Sequence, residues 1–519
     1  MPFYKTSRTV LDRKKPLELV FELLSFSGGE NTIGADQELK PNEARVIKNW
    51  DATSLGGMIR SKGFNEVADG SGAGYTEDYD FLLQHDESGS SRLYAVIEGD
   101  LVYKSGSAMT QADNAAFTSG TLCHGVSVGD VLYITNPTDN IKKKTIGVAI
   151  AALTDPPTNA RERLYYHKFR LIAEGGGRRV YGSRAGTGNF DAADGFSLAN
   201  DAWNIDMPRA TKGGCSWGNE FLIFTEFGAY FLYNFPDIAY RPIIPSHGCS
   251  APYSIAKGNE GVFFVSKYPT LGVFLYNGAN WINLTEHHDF VDEIDFSKRI
   301  FGTYRNNKYF LFYSDGNTAY PNKLRIYNAK FGRWMERPIS SDWSDSFGYP
   351  ALLTHSNNEL YVGSSVADEL YELETEDDSD EGENTEASYK TKDFSSADFN
   401  VASGGRFPID DVRMKLLKIT VTFYGTKGAI TVQWTADRGK YSGSQTFNAT
   451  AEGAKINDDF TVNVSKIIAA TDIPDKTVTK SFANKTIGRR FNFEIGNINT
   501  GTRPEVKKIK ISAIALEEA

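Results

Sequence analysis

The densest group of potentially reactive side chains is Glu286-His287-His288-Asp289, followed closely by Asp292, Glu293 and Asp295. Imidazole and carboxylate both ligate metals, so this is the first place to look for a metal centre. The spacing argues against one. Adjacent residues on an extended strand point to opposite sides, and no zinc pattern such as HExxH is present. A polar loop between elements accounts for the cluster better. The chain's seven histidines stand at 85, 124, 167, 247, 287, 288 and 355, and no serine sits in a GxSxG elbow. Hydrolysis needs a nucleophile with its base, or two carboxylates held across a cleft, and neither can be read from the sequence. Gly175-Gly176-Gly177-Arg178-Arg179 has the glycine content of a phosphate loop without the GxxxxGK[ST] pattern, and Gly186-Thr187-Gly188 fails in the same way. Both are expected to be turns.

From Glu372 to Glu386 run nine acidic residues and no basic one. An EF-hand would need a DxDxDG core with a glutamate six residues on, so a solvated linker is expected instead. Lys142-Lys143-Lys144 and Arg178-Arg179 are local basic clusters. The lysines are expected to be a solvated strand edge that discourages pairing with other chains. No catalytic, cofactor-binding or metal-ligating residue is assigned, and the chain is expected not to be an enzyme.

The elements that would carry such groups follow from composition. The 519 residues exceed the size of one ordinary core, so two or more domains are expected. Phe (33), Tyr (26) and Trp (7) stand beside 48 Gly, a mixture suited to pleated surfaces and tight turns. The net charge of −10 argues against a protein built to grip nucleic acid, which needs clustered Lys and Arg. Cys123, Cys215 and Cys249 form no CxxC pair, which fits assembly in a reducing cytoplasm. The first 24 residues hold no signal-like apolar run, and no stretch approaches the roughly 18 apolar residues of a membrane span, so a soluble protein is expected.

Short aromatic or β-branched runs recur from positions 92, 128, 163, 218, 258, 306 and 357, often beside a polar turn such as Gly218-Asn219-Glu220 or Asn306-Asn307-Lys308. A repeat of 30 to 50 residues in short strands is the mark of β-propeller blades. One blade cannot bury both of its faces, which explains strands with little clean alternation. Past the acidic run, residues 415–441, 489–497 and 506–516 do alternate, with Leu417, Ile419, Val421 and Phe423 on one face, as in a sandwich. The expected fold is therefore all-β: a propeller of seven or so blades over 56–374, with residues around Met58–Glu66 as a closing strand or part of another blade. An acidic linker follows at 375–400, then a C-terminal β-sandwich at 401–519. Residues 1–55, including a helix or strand at 16–24 and a short helical turn from Lys40, are expected to form an N-terminal extension strapped over the propeller.

The order of several segments resembles the β-propeller structural proteins of tailed phages, particularly tail-nozzle and packaged-DNA stabilisation ring proteins of short-tailed phages. The resemblance is carried by Gly28-Gly29-Glu30-Asn31-Thr32, Leu39-Lys40-Pro41-Asn42-Glu43-Ala44 and Gly57-Met58-Ile59-Arg60-Ser61-Lys62-Gly63. It continues through Asp130-Val131-Leu132-Tyr133-Ile134-Thr135-Asn136, then Tyr166-His167-Lys168-Phe169-Arg170-Leu171 and Arg179-Val180-Tyr181-Gly182-Ser183. Later segments are Cys249-Ser250-Ala251-Pro252-Tyr253-Ser254-Ile255-Ala256, Tyr276-Asn277-Gly278, Ile326-Tyr327-Asn328, Gly332-Arg333-Trp334 and Tyr389-Lys390-Thr391-Lys392. It spans most of the chain, and each motif is structural in character. It implies a virion protein assembled in the host cytoplasm, forming a homo-oligomeric ring, six-fold by the family's example. Such a ring stacks on portal or adaptor and other tail proteins. DNA passes its channel without sequence-specific binding, and some of the acidic surplus is expected to face that channel. No cofactor and no membrane are implied.

Two other classes use propellers. A receptor- or glycan-binding propeller should show near-identical repeats, and these diverge. Sialidases carry repeated S/T-x-D-x-G-x-T-W boxes. Thr435-Ala436-Asp437-Arg438-Gly439-Lys440-Tyr441 matches half of one, once, outside the expected propeller, where a hairpin turn suffices.

Overall fold

A computed structural model describes residues 17–516 except 27, 36–37, 55, 70–74, 76–78, 88–89, 158–161, 187–195, 197–201, 236, 246, 319, 339–353, 357–358, 365–368, 376–386, 406–411, 425–427, 438–439, 450–475, 483–485 and 498–502. The chain divides into two compact units, one of residues 62–383 and one formed by 1–61 with 384–519.

The 62–383 unit is a β-propeller of antiparallel four-stranded blades. Blade I holds Tyr79–Glu87, Ser90–Ile97, Asp100–Ser105 and Ala108–Asp113, and blade II holds His124–Val128, Val131–Thr135, Lys142–Lys144 and Ala151–Ala152. Blade III is Arg163–His167, Arg170–Glu174, Arg179–Gly182 and Trp203–Asp206; blade IV is Thr211–Trp217, Glu220–Thr225, Ala229–Tyr233 and Ala239–Pro242. Blade V comprises Ala256–Lys257, Val262–Ser266, Gly272–Tyr276 and Trp281–Asn283, and blade VI comprises Phe301–Arg305, Lys308–Tyr313, Lys323–Asn328 and Arg333–Glu336. Blade VII takes Thr354–Ser356, Glu359–Gly363 and Glu369–Leu373 from the end of the unit and Phe64–Asp69 from its beginning. Blades VII and I also meet through one parallel pair, Asp69 with Ala108. Among the described residues, unbroken pairing therefore gives six blade-bearing sheets, while four-stranded antiparallel units number seven.

The aromatic runs are explained by burial on both faces. In Glu220–Thr225, Phe221 and Ile223 join the core shared with blade III, whereas Leu222 and Phe224 join the core shared with blade V. Val262 and Phe264 likewise pack towards blade IV, Phe263 and Val265 towards blade VI. Alternation is present, but both sets are apolar. The repeat seen in the sequence has the right period and a late phase: positions 218, 258 and 306 mark the turn after a blade's first strand. At such turns Asn306 and Asn307 have φ of 50° and 61°, the left-handed pair that a two-residue type I′ hairpin requires.

The closing strand, Phe64–Asp69, overlaps only the last three residues of the segment singled out in the sequence, and it joins the two ends of the unit. Phe64, 1% exposed, meets Tyr371 edge-on at 5.8 Å and lies under the Arg337 guanidinium at 5.7 Å. Phe64→Leu is expected to lose both ring contacts and leave a small void, costing about 1–3 kcal/mol. Urea unfolding of the full chain checks it.

The second unit corrects the domain expectations. The expected N-terminal extension is instead, over its described residues from 17 on, part of the second unit's sheets. Glu18–Leu23 pairs antiparallel with the Ile509–Ile514 stretch of Glu505–Ala515, and Ala44–Lys48 pairs with Ala387–Thr391. Leu19, Phe21 and Leu23 are buried and alternate with more exposed neighbours, a half-buried strand that needs a sheet of its own kind. Met58–Arg60, near the expected closing strand, also belongs here, beside Val506. The turn at Lys40–Glu43 is a single turn, closed by Glu43 N–H to Lys40 C=O at 3.0 Å. Nor does the linker reach residue 400. Ala387–Thr391 is a strand and Ser396–Asp398 a 3-10 turn with a Ser395/Asp398 capping box, while 376–386 lie outside the described residues.

One sheet of this unit is centred on Glu505–Ala515, flanked by Glu18–Leu23 and Met414–Phe423, the latter also pairing Lys476–Ser481. The other runs Ala44–Lys48, Ala387–Thr391, Phe491–Asn497, Ala429–Ala436 and Tyr441–Asn448. Phe21 on Phe394 (4.3 Å) and Phe26 on Tyr389 (5.3 Å) pack between them, and the Trp50 indole N–H donates to Ile495 C=O at 3.3 Å.

Candidate functional site

Each blade begins with its innermost strand, so the first residues of successive blades gather at one end of the propeller axis. His124, Arg163, Thr211 and Phe301 are such first residues; Asp80 is second in blade I, and Tyr253 and Arg299 lie in the connections just before blades V and VI. Their contacts cross the ring. The His124 ring (blade II) lies 6.1 Å from Tyr253, in the turn that leads into blade V, and Arg163 (blade III) stacks on the same tyrosine at 5.9 Å. Arg299, at the entry to blade VI, pairs with buried Asp80 of blade I at 3.7 Å. Side chains from different blades thus meet at this end of the axis.

The centre of the cluster is an ion pair. Arg163 Nε donates to Glu174 Oε1, and its other arm reaches Glu162 at 3.1 Å. Glu174, 0% exposed, also accepts from the Thr211 hydroxyl and from Tyr165 Oη at 3.4 Å. Burial pushes the Glu174 carboxyl up, but the Arg163 charge and these donors outweigh it and hold it below the usual carboxylate range. Burial opposes the Arg163 charge as well, and Glu174 raises its pKa well above the ordinary value. Leu164 N–H donates to His124 Nδ1 at 3.3 Å. Burial, reinforced by the Arg163 charge, lowers His124 to about 3, so its imidazole is neutral. Burial lifts Tyr253 to about 12. The charges are spent on one another, and both rings keep their neutral forms at neutral pH.

Gly175–Arg179 is the turn expected, between the second and third strands of blade III, and it closes this cluster. Gly177 C=O accepts from Thr211 N–H (2.9 Å) and its hydroxyl (3.1 Å), while Arg178 Nε donates to Met207 C=O at 2.8 Å. Gly176 sits at φ +68°, and a Cβ there would come within 2.7 Å of Glu162. The glycines serve close packing.

The other candidates are dispersed. Glu286, His287 and Asp289 are exposed, whereas His288 is buried against Phe290 and Trp334. Phe290 and Val291 anchor that turn in the core, so it is the inter-blade loop expected. No group of three or more metal-ligating residues exists among the described residues. Asp437 accepts from the N–H groups of Arg489 (2.7 Å) and Arg490 (3.2 Å) and so pins a turn; residues 438–439, 187–188 and 376–386 lie outside the described residues. The lysines at 142–144 are not a solvated edge. They form the third strand of blade II; Lys144 is buried on Asp113 at 2.6 Å, and Lys142 donates to Ala116 C=O beneath the Phe117 ring. Blade I supplies these partners, which strand spacing cannot reveal. Cys123, Cys215 and Cys249 are free thiols, with burial lifting the latter two to about 12. The axial cluster is not legible in the sequence, since its members lie up to 221 positions apart, from Asp80 to Phe301.

No family profile matches the chain, and no curated protein matches it. Among solved structures it is similar to the extracellular domain of a putative one-component system of B. thetaiotaomicron, at TM-score 0.44 and 11% identity, over 63% of this chain and 41% of that one. The extracellular domain of a putative hybrid two-component system of the same organism gives 0.43 and 12%, over 60% and 39%. A computationally designed protein, Ika8, gives 0.35 and 10%, over 59% and 99%. The chain thus spans about two fifths of the two extracellular domains.

Proposed function

We propose that this protein is a non-enzymatic structural subunit of a phage virion tail, one copy of a nozzle or hub ring around the DNA channel that helps retain and then conduct the genome. The observation that carries this reading is the set of side-chain contacts that bridge blades at one end of the axis. Asp80–Arg299, Arg163–Tyr253 and the His124–Tyr253 contact tie blades across the ring, which supports a propeller that supplies shape. DNA then passes between copies, not through the blade ring. The resemblance in segment order to tail-nozzle and DNA-stabilisation proteins supports the same reading.

The test is imaging of assembled particles carrying a tag on this chain, with co-purification of portal and adaptor. Label on the tail and a discrete homo-oligomeric ring, six-fold in expectation, are the expected results; particles that assemble and eject DNA without the chain would overturn the reading.

One observation favours the alternative, a receptor- or glycan-binding propeller of the virion surface. Phe227 and Tyr268 are exposed, lie 5.0 Å apart and carry Arg209 and Lys267 over their faces, an arrangement on which a sugar ring can stack. Glycan binding lost in Phe227→Ala together with Tyr268→Ala would favour that role.

A further inference from the structure

The two units carry opposite net charge. Residues 62–383 hold 27 Lys and Arg against 43 Asp and Glu, a net −16, while 1–61 with 384–519 hold 29 against 23, a net +6. Part of the positive surplus has a defined place. On the sheet centred on Glu505–Ala515, Lys418 pairs with Ser512 and Ser481, Thr420 with Lys510 and Thr479, and Thr422 with Lys508 and Thr477. Directly paired residues share a face, so three adjoining strands place exposed Lys418 and half-buried Lys508 and Lys510 on one face, with Thr422 and Ser512 buried among them, opposite the buried Ile419, Val421, Ile509 and Ile511.

The hydroxyls are partly used within the ladder, Thr420 with Thr479 at 2.9 Å and Thr422 with Thr477 at 3.2 Å. Lys510 pairs with Glu22 at 3.0 Å, while Lys418 and Lys508 have no ion pair among the described residues. What this face offers a partner is positive charge on a rigid sheet. The propeller has the complement. Glu286, Asp289, Asp292 and Glu293 are exposed on the connection between blades V and VI, and Phe290, Val291 and Ile294 hold that backbone in the core.

We infer that the lysine-bearing sheet face of one copy docks on the acidic V–VI connection of a second copy. The inference rests on the ring proposed above and names the contact that would build it. One surface meeting a different surface is a heterologous interface, which closes into a ring when the rotation allows. The charge split makes it directional, since acidic propellers repel one another and each attracts a lysine face.

Sedimentation of the full chain tests it. The expected result is self-association that weakens with salt and drops about tenfold or more in Lys418→Glu/Lys508→Glu and, separately, in Asp292→Lys/Glu293→Lys. Mixing the two reversed proteins should restore association, a recovery that misfolding cannot give. Undiminished association in either variant, or no recovery on mixing, overturns the contact while leaving tail location to the imaging test. A wild-type chain that stays monomeric and retains duplex DNA through Lys418 and Lys508 also overturns it, assigning the face to phosphate instead.

Discussion

Glu174→Gln is expected to lower the unfolding free energy by about 3–5 kcal/mol, the usual cost of removing one partner of a buried ion pair. Glutamine keeps the shape and the Thr211 contact but strips the charge that faces Arg163, whose side chain is only 5% exposed. Glu162 is a poor substitute, because its carboxylate is 32% exposed and spends part of its field on water. Arg163 must then stay charged without an equal partner or swing out and leave a void beside Tyr165 and Tyr253. Arg163→Met/Glu174→Met should cost less than Glu174→Gln alone, since no charge is stranded. Chemical denaturation of the three proteins orders them; Glu174→Gln within 1 kcal/mol of wild type would remove the ion pair from the account of axial closure.

Stability should also fall steeply between pH 6.5 and pH 5, before most carboxylates titrate. Burial lowers His124 to about 3 and both His167 and His288 to about 4. Their unfolded values lie near 6.5, so over this interval the unfolded chain binds protons that the folded chain refuses. The contribution is fully present above pH 6.5 and drains away as pH falls. At pH 5 each group accounts for about 2 kcal/mol, and the three for roughly 6. The lowered pKa of Glu174 acts in the same direction but only at still lower pH, so it does not confuse the window. Urea midpoints at pH 7.5 and pH 5 measure the effect, and His167→Gln should flatten the slope. Equal midpoints would mean that these rings reach water. His167 is the more telling of the three, because its Nδ1 meets Ser216 Oγ at 3.1 Å on the neighbouring blade's inner strand, and protonation there is set against packing with Phe221 and Phe235.

The two effects share a cause. Inner strands are crowded, and a polar group placed there must be satisfied by another blade or stay neutral. The same crowding explains why the axis presents no reactive constellation that spacing could have revealed. His124, Arg163 and Tyr253 look unremarkable along the chain because each stands alone in its own blade.

Local chemistry determined the class of fold. Phe, Tyr, Val and Ile in four-to-eight-residue runs, separated by Asn and Gly turns, permit only strands, and their repetition implies blades, because a sheet apolar on both faces needs neighbours on both sides. Turns such as Gly175–Gly177 and the loop around Glu286 were legible for the same local reason. Long-range pairing decided the rest. Glu18–Leu23 alternates as a half-buried strand should, but nothing within it names Ile509–Ile514 as its partner. Likewise Phe64–Asp69 completes a blade begun some 290 residues later. The lysines of 142–144 read as a solvated edge until Asp113 and Ala116 stand beside them. Periodicity records which face of a strand is apolar; which surface covers that face, and which charge answers a buried one, is fixed only when distant segments compete for the same place in the folded chain.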